Sequence, residues 1–194
     1  MNINRIMSNV MCRFSSMCDC NLNDGRISVR IPNTSLCINF ILVEKEDDES
    51  TIKILKNSIL KELHVSENSL MKIALKNTSM KEEVCYRSFQ DIIGINDDMP
   101  NIIVTNKSLY YGSIALLYDG VCEHIRELIG DFYILPSSVH ESICVPKNAG
   151  DKKELLHIVR EINRSSFILK NDILADDVFE VVDGKICSAF RAYI

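Results

Sequence analysis

Hydrophobic and polar positions recur along the chain with a period that changes, and each change marks an element. Ile27, Val29 and Ile31 alternate with polar residues after the turn signal Asn23-Asp24-Gly25, which predicts a strand over Arg26 to Ile31. Leu36 to Val43 is nearly continuous apolar sequence. The charged run Glu44 to Glu49 follows it and Thr51 to Leu55 resumes the β pattern, so a hairpin with a solvated tip is expected. Ile59, Leu60 and Leu63, then Leu70, Ile73 and Ala74, recur at helical intervals and predict two short helices, the second capped by Ser66 and ended by Asn77 to Ser79. Val84 to Phe89 reads as another strand. The turn-rich stretch Asn96 to Pro100 places a candidate boundary near residue 98, dividing 1–98 from 99–194 as two halves of one unit.

The second half has clearer periods. Ile102 to Val104 reads as a buried strand. Ile114, Leu117, Tyr118, Val121, Ile125 and Leu128 then form one stripe of a single amphipathic helix, with a kink at Asp119-Gly120 and an end at Gly130. Phe132 to Leu135 and Ser142 to Val145 read as strands around Pro136 to His140. Asp151 with Glu154 opens a helix whose buried face carries Leu155, Ile158, Val159 and Ile162. Val178 to Val182 and Lys185 to Ala189 flank Asp183-Gly184, the strongest hairpin signal in the chain. The order of elements predicts an α+β fold: a mixed or antiparallel sheet packed against about four helices, with β-hairpins near the N-terminus and at the C-terminus.

Composition narrows the class of function. A chain of 194 residues, 46% hydrophobic and 25% charged, is one ordinary globular unit, and its net charge of −5 carries no footprint of a nucleic-acid or anionic-membrane binder. No basic run is interleaved with aromatics, so direct nucleic-acid binding is not expected. The longest apolar stretches fall short of a membrane span and the N-terminus lacks the apolar region of a secretory signal, which points to the cytoplasm. There most of the eight cysteines are expected as free thiols. Cys37, Cys122, Cys144 and Cys187 sit in apolar runs and read as small core residues. Cys12, Cys18 and Cys20 form a cluster that lacks a fourth ligand, leaving zinc as an alternative and no cofactor as the expectation.

The densest chemistry lies in Ser137, Ser138, His140, Glu141, Ser142 and Cys144. In an extended strand His140 and Cys144 would stand about 13 Å apart, beyond direct proton transfer. The reading adopted is a bend shaped by side-chain-to-backbone hydrogen bonds. The alternative is a small hydrolase or transferase using Ser137, Ser138, His140 and Glu141. No nucleophile-elbow, zinc-helix, phosphate-loop or dinucleotide motif is present. Glu154 with His157 supplies a single Glu-x-x-His pair, and His124 and His157 read as helix-surface residues.

Thr105-Asn106, Tyr118-Asp119, Pro136 to Glu141 and Val159 to Asn163 resemble, in order and type, a bacterial family of unknown function found in gut anaerobes, often near mobile elements. The resemblance begins near Ile31 and covers about four fifths of the chain, which resembles a member shortened at its N-terminus. It brings no activity with it; its setting implies a regulatory role such as inhibition of a host nuclease in counter-defence. The expectation is therefore a non-enzymatic domain with a protein partner, its candidate binding residues being Asn106, Tyr118, Arg160 and Asn163. The oligomeric state is left open.

Overall fold

The computed structural model describes residues 3–17, 24–46, 49–88, 101–165 and 168–190. Helix α1 (Ile3–Asn9) runs directly into β1 (Val10–Ser16). With β2 (Ser28–Arg30), β3 (Leu36–Glu46) and β4 (Glu49–Ile54) it makes a first antiparallel sheet centred on β3. The register sets Val10 beside Leu42, Cys12 beside Phe40 and Phe14 beside Ile38. Because side chains alternate faces, all six share one face, and all six are buried.

Helices α2 (Ser58–Leu63) and α3 (Glu67–Lys81) follow, and α3 packs along β1. The Ser66 hydroxyl accepts from the Ser69 N–H at 3.2 Å and caps α3 as expected. The expected end at Asn77 is not observed, because the polar side chains there have tertiary partners. Asn77 Nδ2 donates to the carbonyls of Met7 and Val10, both at 2.9 Å. Thr78 Oγ1 accepts from the Cys12 N–H at 3.0 Å and donates to the Ala74 carbonyl at 2.6 Å. These contacts fasten α1 and β1, neither of which is predicted from the sequence.

The second sheet contains β5 (Val84–Arg87), β6 (Ile102–Asn106), β7 (Phe132–Leu135), β8 (Ser142–Pro146), β9 (Phe179–Val182) and β10 (Lys185–Ser188), in the order β10-β9-β7-β8-β6-β5. All its pairings are antiparallel. The fold is thus α+β, with two antiparallel sheets where one was expected. Phe132, Ile134 and Cys144 point into the main core, which joins Phe14, Phe40 and Leu70 to Ile114, Ile125 and Phe179. Leu135 and Val145 point the other way and pack on Leu155 and Val159 of α5 (Lys152–Arg164). The candidate boundary near residue 98 lies outside the described residues.

The single helix expected over Ile114 to Leu128 is divided into a 3-10 segment, Gly112–Leu117, and helix α4 (Val121–Ile129). Tyr118 is extended and Gly120 has φ of 80°, a left-handed turn that suits glycine and separates the two segments. Among the described residues no helix is long and apolar enough to cross a membrane.

The cysteines divide by burial. Cys12, Cys122, Cys144 and Cys187 are buried free thiols and Cys85 is a partly exposed one. Cys37 is fully buried, as expected of a small core residue, and is disulfide-bonded where a free thiol was expected of most cysteines. Cys18 and Cys20 lie outside the described residues, and the Cys12 thiol faces Thr78 Oγ1 at 3.6 Å. Burial pushes the Cys12 thiol up to about 12 and the Cys122 thiol up to about 11, so both stay protonated and unreactive near neutral pH. Iodoacetamide at about pH 8 is therefore expected to label Cys85 ahead of Cys12, Cys122, Cys144 and Cys187 in the folded protein. Peptide mass spectrometry reads the order; equal labelling of the five would contradict it.

Candidate functional site

Strand β6 ends in Thr105-Asn106, and the next five residues lead into the 3-10 segment. Asn106 is buried, with 1% of its surface exposed, and its amide organises this connection. Its Nδ2 donates to the Tyr110 carbonyl at 2.9 Å, while its Oδ1 accepts from the Tyr110 N–H at 3.1 Å and from Ser108 Oγ at 3.2 Å. One side chain thus satisfies both backbone groups of Tyr110.

The loop held this way is strained. Leu109 and Tyr111 have φ of 58° and 55°. For a residue with a Cβ that left-handed conformation costs about 1–2 kcal/mol. The constraint turns Leu109 and Tyr110 outward, each 50% exposed, and tucks Tyr111 beneath them. The Tyr110 ring lies 4.2 Å from the Tyr111 ring and 5.0 Å from the His140 ring. Tyr111 stacks on His140 with 16° between their planes, and the Arg13 guanidinium lies 4.3 Å over the Tyr111 ring. Burial, together with the neighbouring Tyr110 hydroxyl, pushes the Tyr111 phenol up to about 12.

Beneath this loop lies the bend Pro136 to Glu141. Ser138 N–H donates to the Glu141 carbonyl at 3.1 Å, and Ser138 Oγ accepts from the His140 N–H at 3.0 Å. Thr105 Oγ1 donates to the His140 carbonyl at 2.9 Å and Ser113 Oγ to the Val139 carbonyl at 2.8 Å. These three hydroxyls are therefore engaged with backbone groups. His140 Nδ1 accepts from the Tyr111 N–H at 3.2 Å, which puts the proton of the neutral ring on Nε2, 3.6 Å from Asp172 Oδ2. Among the described residues neither ring nitrogen has a serine hydroxyl as its hydrogen-bond partner. Strand β8 begins at Ser142, so His140 lies in the bend and not on the strand.

The candidate residues of the sequence reading fall into separate places. Asn106 and His140 meet through the Tyr110-Tyr111 loop. Ser137 supplies a backbone N–H to the Leu135 carbonyl, and Glu141 supplies its own carbonyl to the bend. Tyr118 is buried, among the described residues its hydroxyl has no hydrogen-bond partner, and burial raises its phenol pKa. Arg160 and Asn163 lie on α5, across the second sheet from the main core, and Asn163 Nδ2 ties the helix to the Ala175 carbonyl at 3.0 Å and to Asp176 Oδ1 at 2.8 Å. His124 and His157 stand on exposed helix surface beside Glu127 and Glu161. Arg13, Leu109 to Gly112 and Asp172 are missed by sequence reasoning; the one local signal is a pair of tyrosines next to a glycine after the turn-forming Asn-Lys-Ser.

Residues 28–180 match a family of unknown function, DUF5688. The chain belongs to that family. No curated protein and no solved structure matches it. The DUF5688 region contains the Asn106 loop, the Pro136 to Glu141 bend and Asp172, and it begins after Arg13.

Proposed function

We propose that this DUF5688 protein is a non-enzymatic binding domain whose contact surface is the knob formed by Leu109, Tyr110 and Tyr111. One observation carries the reading: an apolar and an aromatic side chain are held half exposed by a backbone that is left-handed at two non-glycine positions. Stability alone would favour a relaxed turn with those side chains inward. Strain of this kind concentrates where a fixed shape is used. A rigid aromatic anchor also loses little freedom when it is covered, which suits a protein partner.

The same geometry disfavours the hydrolase or transferase alternative at Ser137 and Ser138. A general base must turn a lone pair toward its nucleophile, and the available lone pair of His140 is held by the Tyr111 N–H. A photoreactive benzoylphenylalanine introduced at Leu109 is expected to give one defined protein adduct in cells. The same group at Ile158, similarly exposed at 46% but on α5, is expected to give none. No adduct at position 109, or equal adducts at both positions, would contradict the proposal.

A further inference from the structure

We infer that a cavity at the foot of the knob receives the cationic side chain of a basic segment of the partner. The inference rests on the knob being the contact surface. The cavity, ≈260 Å³, lies between the first sheet and the Tyr110-Tyr111 loop. Met11, Ile41, Val43 and Ile52 make its walls apolar, the two tyrosines stand at its edge and Glu82 contributes a carboxylate. The volume suits one side chain and lies below the usual range for small-molecule sites.

One charged group there is left without a partner. Glu82 is partly buried, and among the described residues its carboxylate has no hydrogen bond or ion pair. The adjacent Lys81 does not neutralise it, since Lys81 Nζ donates to the Ser8 carbonyl at 3.0 Å and to Asn9 Oδ1 at 2.9 Å. A partly buried carboxylate without a counter-ion favours a bound cation, and apolar walls accept the methylene stem that carries it. A lysine or arginine side chain supplies both. The net charge of −5 favours the approach of a basic partner.

Amide NMR of the whole protein tests this with three probes: N-acetyl-lysine methylamide, N-acetyl-arginine methylamide and the neutral N-acetyl-norleucine methylamide. Saturable shifts at Glu82, Ser108 and Tyr110 are expected with lysine or arginine, and about tenfold weaker binding with norleucine. Glu82→Gln should weaken the cationic probes by about the same factor. Should that variant fail to fold, Ile52→Phe, which narrows the cavity without altering its charge, should also reduce binding. No saturable shift, an equal response to norleucine, or unchanged binding in a folded Glu82→Gln variant would overturn the inference. A retained cross-link at position 109 with no cation binding would remove this inference alone, whereas loss of the cross-link removes the knob reading beneath it.

Discussion

Replacing Gly112 with alanine is expected to destabilise the protein by about 3–4 kcal/mol, or to prevent folding, the range of severe overpacking against backbone. A Cβ at this position would lie 2.3 Å from Thr105 Oγ1, 2.4 Å from the Asn106 nitrogen and 2.7 Å from the His140 carbonyl oxygen. Two of these atoms are backbone, fixed by β6 and by the bend, so no rotation relieves the clash. Gly112 is therefore where the loop, the strand end and the bend close on one another. Gly120→Ala is the control: nothing lies within 4 Å of its added Cβ, and its φ of +80° leaves only conformational strain of about 1–2 kcal/mol. Urea unfolding of both variants reads the difference. A loss below about 1 kcal/mol in Gly112→Ala would mean the three segments are not packed as described.

Asn106→Ala is expected to cost about 2–3 kcal/mol, the order for removing one partner of several partly buried hydrogen bonds. The Tyr110 N–H and carbonyl and the Ser108 hydroxyl lose the group they now meet. The left-handed turns at Leu109 and Tyr111 would then lack the amide that holds them, so the knob should relax as well as the fold weaken. Faster amide exchange at Tyr110 and Tyr111 than at β7 should accompany the lower unfolding midpoint. If the midpoint falls while exchange at the loop is unchanged, Asn106 contributes packing and not the loop's shape.

The two sheets were unequally legible. β7, β8 and the β9-β10 hairpin carry period-two or continuous apolar runs bounded by turn residues, and they form where that pattern places them. β3 starts at Leu36 as expected but runs on through Glu46 to pair with β4 from Glu49, so the charged run expected as the hairpin tip is largely strand, because backbone pairing continues past the last apolar residue. β1 leaves no pattern to read because Val10, Met11 and Cys12 are buried in succession, so both faces are covered and no alternation appears. The end of α3 falls beyond the helix-ending residues Asn77 and Thr78 because their side chains are satisfied from α1 and β1. In the site, the engagement of Ser138 with its own bend follows from local rules for serine after proline. The partners of the imidazole do not: they come from Tyr111, 29 residues earlier, and from Asp172 in a later segment. Arg13 reaches Tyr111 from the first strand, a contact with no local trace.

The knob proposal is tested most directly by the affinity of the cross-linked partner for the wild-type protein and for a Leu109→Ser, Tyr110→Ala double variant. Both side chains are half exposed, so their loss should leave the unfolding midpoint nearly unchanged. Removing a central anchor should weaken binding by about tenfold or more. Equal affinities for the two proteins, with both folded, would contradict the proposal.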